Sequence, residues 1–571
     1  PRQGGGWTES VIHNFGSDGN DGSSPEQGLI LDGNGNLFGA TTSGGANGLG
    51  VVFELSPGQG GGWTETILHT FIENGTDGGL PFGSLVRDAS GNLYGTAIGG
   101  GSDRSGVVFE LSPAQGGSWT ETILHSFTFN GGDGVGPDAN LIFDSAGNLY
   151  STTNGGGIRN DGTVFELSPQ QGGGWTETVL YSFIYSGSGG AFPPSNLIAD
   201  SAGNLYGTTN GGGSYDSGIA FKLTPSGGGT WTETLLHNFG HGFDGTFPNA
   251  GLVMDSAGNL YGTTESGGTH ACGAVFKISP NQGGGWSETV IHNFYCNGSD
   301  GNIPFGGLIF DASGNLFGTT YEGGTHSGGA VFEMSPNGSG GWTERVVHNF
   351  NPAAGDGSYP RAGLVMDSSG NLFGTTFLGG AYGLGTVFEE TPNGSGGFTE
   401  RVLHNFTADA GDGWLLYGGV VLDAARNLYG TTNLGGDNGS GAVFQLTPQQ
   451  NGTWTERVIY SFCSQAGCAD GAAPLGSLTF FGSSPDLYGT TSSGGANGWG
   501  TVFQLTPSQG GDWTISTLHD FNPASGDGGT PQGGVIFDPS GNLYGTTQVG
   551  GGNYNAGTVF AITSVGDQLG R

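Results

Sequence analysis

"PRQGGGWTES", residues 1–10, decides the fold. The same phrase recurs as "PGQGGGWTET" from Pro57, "PQQGGGWTET" from Pro169 and "PNQGGGWSET" from Pro280. Inside the chain it joins a strand-like run such as "VFELS" to another such as "WTETILH", so it is a connection and not a beginning. Ten copies of one repeat are headed by Trp7, Trp63, Trp119, Trp175, Trp231, Trp286, Trp342, Phe398, Trp454 and Trp513, spaced 55 or 56 residues apart with a last step of 59. Self-similarity of this length sets the architecture before any local pattern does.

One copy, residues 63–112, reads as four short strands, "WTETILHTF", "SLVRD", "LYGTA" and "GVVFELS", separated by Gly, Asn, Asp and Pro turns. No ten-residue stretch carries helical periodicity. A single sheet of this size cannot bury both faces, whereas ten stacked face to face around an axis can. The expected fold is all-β, one β-propeller of ten four-stranded antiparallel blades over residues 1–571. Counting outward from the axis, "LIFD" is strand A, "LYGTT" B, "GTVFELS" C and "WTETVLHSF" D. The chain opens with a lone D strand, Trp7–Phe15, and ends with the A, B and C strands of another blade. Residues 7–15 complete that blade and close the ring, which removes two exposed sheet edges. An open solenoid and two smaller tandem rings are the alternatives.

Gly (125) and Pro (24) together approach the content of a disordered chain, but here the glycines are periodic. With 48 acidic and 12 basic residues the formal charge is −36, which disfavours nucleic acid and anionic lipid as partners. No apolar run approaches the ~20 residues of a membrane span. Neither an initiator Met nor a signal peptide is present, the expectation for a processed or trimmed chain. Cys272 precedes strand C and Cys296 follows strand D of one blade, so a C–D hairpin brings them together; Cys463 and Cys468 would staple a D–A loop. Two local disulfides and an acidic surface point to secretion.

Most repeated polar residues read as framework. Asp before "xxGN", as in Asp32 and Asp144, fits a hairpin turn. A second Asp opens "DG" in the D–A connection, as in Asp77, Asp133, Asp244, Asp356 and Asp527; its alternatives are turn formation and a ring of Ca²⁺ ligands. His on strand D, replaced by Tyr181 and Tyr460 in two copies, reads as packing with a hydrogen bond.

Two signatures carry a resemblance. "SPGQGGGW" at Ser56–Trp63, "SPNGSGGW" at Ser335–Trp342 and "TPQQNGTW" at Thr447–Trp454 resemble the Asp-box hairpin of sialidase-type and sortilin-type propellers, although Gly58, Asn337 and Asn393 stand where the Asp belongs. The resemblance implies a propeller and no sialidase chemistry, because strand A offers only Arg87 to grip a carboxylate. Over its whole length the chain is similar to the bacterial tandem-repeat proteins called GloVer-containing, through "GGANGLGVVFELSP" at 44–57 and "GGAYGLGTVFEETP" at 379–392. That similarity implies an extracellular or cell-surface protein and no particular activity.

Function is expected where the repeat is broken. The B–C and D–A loops emerge on one face, and the two tryptophans outside the framework, Trp414 and Trp499, fall there. With Phe377, Tyr382, Tyr417, Asn433, Asp437 and Asn438 they offer aromatic faces beside amide and carboxylate groups, which suits sugar rings. The expected partner is a polysaccharide or glycoconjugate; the alternative is self-association into an extracellular assembly, with these side chains as contacts. "TTESGGTHACG" and "TTYEGGTHSGG" place Glu265 and His270 on one blade and Glu322 and His326 on the next. These are candidates for metal ligation or carbohydrate hydrolysis, and also what simple duplication of a loop would leave.

Overall fold

The computed structural model describes residues 7–564 except 16–19, 26–28, 58–62, 73, 115–117, 186, 194–196, 227–229, 249–250, 297, 299, 305–306, 339–340, 395, 410, 483, 509, 524–526, 539–540 and 551–556. The opening Pro1–Gly6 and Gly58 of the Asp-box comparison therefore lie outside the described residues. Ten antiparallel sheets run A–B–C–D. Blade 1 is Ile30–Leu31, Leu37–Thr41, Val51–Pro57 and Trp63–Thr70; blade 10 is Ile536–Phe537, Leu543–Thr547, Thr558–Ser564 and Trp7–Asn14. The first strand thus closes the last blade, with Trp7 opposite Ser564 and Asn14 opposite Thr558. The described residues contain no α-helix, only the 3-10 turns Pro352–Ala354 and Ala466–Cys468.

Apolar layers lie between blades. Phe38, Val52, Leu68 and Phe71 of blade 1 meet Leu85, Leu93, Phe109 and Leu111 of blade 2, and equivalent clusters continue round the ring. The aromatics meet edge-on, as Phe71 on Phe109 at 5.2 Å, which satisfies the ring quadrupoles. The glycine of "LFG" is a packing requirement: a Cβ on Gly39 would stand 2.5 Å from the Phe53 ring.

Among the described side chains, the lead tryptophans dock on the blade before their own. Trp231 packs on Tyr150 at 5.6 Å, and its Nε1 donates to Glu166 Oε2 at 2.9 Å; Trp119 and Trp175 do the same to Glu54 and Glu110. Where strand C carries Lys instead, Lys222 and Lys277 lie over the Trp286 and Trp342 rings. Phe398 has no N–H to give. At that junction Arg345 pairs with Glu333 and lies 4.7 Å over the Phe398 ring.

Four strands per copy is an undercount. The "DG" segment of the D–A connection pairs with the B–C loop of the next blade in two-residue ladders, such as Gly413–Trp414 with Leu434–Gly435. The residue after this segment is left-handed even when it is not glycine: Ser24, Leu80, Phe192, Phe247, Ile303, Tyr359, Leu415, Ala473 and Thr530 have φ between 52° and 60°. In the turns, Asp32 Oδ1 accepts from the N–H groups of Asn34 and Asn36 at 2.8 and 2.9 Å, and Asn337 and Asn393 accept from Gly341 and Gly397. Cys272 is bonded to Cys296 and Cys463 to Cys468, with Cα–Cα distances of 5.8 and 3.7 Å.

Candidate functional site

The strand D histidines and D–A aspartates form one device. His69 Nε2 lies 2.9 Å from Asp77 Oδ2, and Asp77 also accepts from the N–H groups of Ile72 and Gly78. The pair recurs as His125–Asp133, His292–Asp300, His404–Asp412 and His519–Asp527. The two exceptions differ: with Tyr181 the Asp position becomes Gly189, whereas Tyr460 keeps Asp470, 2.5 Å from its hydroxyl.

At six of the junctions, among the described residues, a glutamate of the following blade completes the group. His69, Asp77 and Glu121 bring ligand atoms within 4.8 Å of one another, as do His125, Asp133 and Glu177. Burial, with Asp77 beside it, pushes Glu121 up to about 8, and burial raises Glu177, Glu288, Glu400 and Glu456 to about 7. After Tyr460 the glutamate is absent and Ile515 takes its place in the core.

The loop face carries the apolar surface. Fourteen of the fifteen exposed large hydrophobic side chains among the described residues lie in D–A or B–C connections; the other is Ile536 on strand A. On blades 6 to 8 one of them, Tyr417, ends a contiguous ladder whose other rings, Tyr321, Tyr359 and Phe377, are half-buried. Tyr359 packs on Tyr321 at 5.3 Å, Arg361 lies 5.6 Å over Tyr321 and 4.3 Å over Phe377, and Phe377 meets Tyr417 at 5.3 Å. A cleft of about 190 Å³ adjoins Tyr359 and is lined by Glu322, Asn302 and Ser327. Asn302 Oδ1 is buried there with no hydrogen-bond partner. A second, open groove of about 550 Å³ lies between Tyr185 and Tyr215 with Asp216.

The residues singled out from sequence divide accordingly. Phe377 and Tyr417 are in the ladder; Tyr382 stands 60% exposed at a loop tip. Trp414 is half-buried on its two-residue strand, and Trp499 is exposed beside Gly529, away from Trp414 at the junction of blades 9 and 10. Asn438 donates to Phe462 O at 3.1 Å, as Asn47 does to Phe71 O, which makes it a loop anchor. The Asp437 and Asn433 backbones are tied to Ser461 and Leu415. His270 lies against Tyr295 at 4.1 Å, Glu265 and His326 are exposed, and Glu322 faces the cleft. Tyr321, Tyr359 and Arg361 lie outside the loops that carry the extra tryptophans and join the ladder without any break in the repeat to mark them. The available signal was "SYPRAG", where this acidic chain sets Arg361 two residues after Tyr359.

Residues 2–202, 143–376 and 366–569 match the model of the Gloeobacter/Verrucomicrobia repeat. No curated protein matches. Among solved structures, the Pseudomonas aeruginosa periplasmic gluconolactonase PpgL is 15% identical, with 65% of this chain and 94% of that one covered and a TM-score of 0.32. An ancestral GH74 enzyme is 13% identical, covering 95% and 72%, also at 0.32. A Mycobacterium tuberculosis puromycin-hydrolyzing peptidase is 12% identical, covering 78% and 61%, at 0.31. None of the three likenesses speaks to this chain's chemistry.

Proposed function

The chain belongs to the Gloeobacter/Verrucomicrobia repeat family, and on that framework we propose that it is an extracellular binding propeller whose loop face takes a polysaccharide or glycoconjugate. The observation that carries this reading is the ladder Tyr359–Tyr321–Arg361–Phe377–Tyr417 beside a cleft lined by Glu322 and Asn302. Flat rings accept the apolar faces of sugars, and the carboxylate and amide meet their hydroxyls. Trp499 and Tyr382 are further contacts on the same face. The charge of −36 favours neutral sugars over polyanions. The Asp-box-like hairpins enter only as turns at the disc's outer edge.

Self-association is the second reading, favoured by one observation: exposed apolar side chains continue beyond the ladder, at Phe129, Ile158, Phe192 and Phe243. Affinity electrophoresis through gels containing neutral polysaccharides separates the two. The binder is a monomer, is retarded by at least one polysaccharide, and loses about tenfold in affinity, ~1.4 kcal/mol, in Phe377→Ala/Tyr417→Ala. A protein that sediments as a large particle without ligand, or whose retardation survives the double variant, refutes the reading.

A further inference from the structure

Glu390 breaks the repeat inside a blade. Strand C carries Leu, Ile or Met at this position in the other nine copies, as in Leu55, Ile278 and Met334, whereas blade 7 reads "TVFEETP". Its side chain is fully buried, and neither carboxylate oxygen has a hydrogen-bond partner. Glu390 stands directly opposite Glu400 on strand D, so two carboxyl groups share one cross-strand pair. Nothing in the apolar layer calls for this. An unpaired buried carboxylate facing another persists when something neutralises both.

The surroundings name that something. Glu400 belongs to the group His348–Asp356–Glu400, whose ligand atoms all lie within 4.8 Å of one another. His348 Nε2 faces Asp356 Oδ2 at 2.5 Å, and the far nitrogen, Nδ1, faces Glu390 Oε1 at 3.9 Å. A cation bonded at about 2.0–2.2 Å to imidazole and carboxylate donors needs only small side-chain rotations here. The local cation, Arg345, is engaged by Glu333 and Gly396 O.

We propose that the junction of blades 6 and 7 is a binding site for one divalent transition-metal ion, Mn²⁺ or Zn²⁺, held by His348 Nε2, Asp356 and Glu400 and oriented by Glu390 on His348 Nδ1. One imidazole with two carboxylates is a donor set for these ions rather than for Mg²⁺. A carboxylate on the far nitrogen of a ligating histidine fixes its tautomer and raises its basicity. The same triad at other junctions, such as His69–Asp77–Glu121, faces Leu111 where blade 7 has Glu390, and so lacks that support.

The test is titration calorimetry of EDTA-stripped full-length protein with MnCl₂ and with ZnCl₂, comparing wild type, Glu390→Leu and Glu400→Gln. Glu390→Leu restores the residue of the other blades, and circular dichroism in EDTA confirms that it folds. The expected result is one tight equivalent in the wild type, weakened about 10–100-fold by Glu390→Leu and abolished by Glu400→Gln. Superimposable wild-type and Glu390→Leu isotherms, or a wild type that takes up neither ion at millimolar concentration, overturn the proposal. Should Glu390→Leu fail to fold, Glu400→Gln alone decides it: an unchanged tight equivalent is a refutation.

Discussion

The tryptophan–glutamate link between blades can be dismantled and rebuilt. In Trp231→Phe the phenyl ring keeps the edge-on contact with Tyr150 but removes the donor 2.9 Å from Glu166 Oε2. Glu166 is only 9% exposed, and its other oxygen remains bonded to Tyr150 and Ser168. Losing a hydrogen bond to a buried charged group costs about 1.5–3 kcal/mol, and the smaller ring adds at most about 1 kcal/mol of lost apolar burial. The remedy is copied from the junction that already has Phe398. Thr178 lies opposite Glu166 as Arg345 lies opposite Glu333, so Thr178→Arg supplies a guanidinium to the carboxylate and to the new ring. Urea denaturation followed by circular dichroism, run as a double-mutant cycle, should show Trp231→Phe destabilised by ~2–4 kcal/mol and at least half of that recovered by Thr178→Arg. A Trp231→Phe loss below about 0.5 kcal/mol, or no coupling in the cycle, would refute the argument.

The junction glutamates predict a pH dependence. Burial holds Glu121 near 8 and Glu177, Glu288 and Glu456 near 7 in the folded state, well above an unfolded glutamate. A raised folded value means that their contribution is full below the unfolded pKa and is lost as pH rises through the folded one. The thermal midpoint should therefore fall between about pH 4.5 and 8, each group contributing at most ~1.4 kcal/mol per pH unit, and Glu121→Gln should flatten the profile; a midpoint rising across that window contradicts the assignment. Thr530, β-branched at φ 54°, is strained where Gly136 holds the same place in another copy, so Thr530→Gly should raise the unfolding free energy by about 1 kcal/mol, with unchanged or lower stability as the contrary result.

The ring was legible because a repeat of 55 to 56 residues with four β-rich runs leaves few other ways to bury both faces of each sheet. The short ladders of the loop face were not, since pairs such as Gly134–Val135 with Gly155–Gly156 carry no alternation of side chains to read. The histidine–aspartate pairs were visible as separate columns of the repeat, but their contact depends on how the D–A connection folds back. Glu390 escaped notice for a different reason. The break lies inside a strand, and "VFEE" passes for "VFEL" until the partner strand places Glu400 opposite it.

The matched substitutions at the junctions have a bearing on assembly. Ten near-copies on one chain invite a blade to dock against the wrong neighbour while the protein folds. Two odd residues are answered across their own junctions, Phe398 by Arg345 and Ile515 by Tyr460. A blade bearing Phe398 that settled against Glu166 would strand that carboxylate without its donor, and one bearing Ile515 would leave a histidine facing a methyl group. The departures from the consensus thus act as addresses, telling otherwise interchangeable blades which neighbour is theirs.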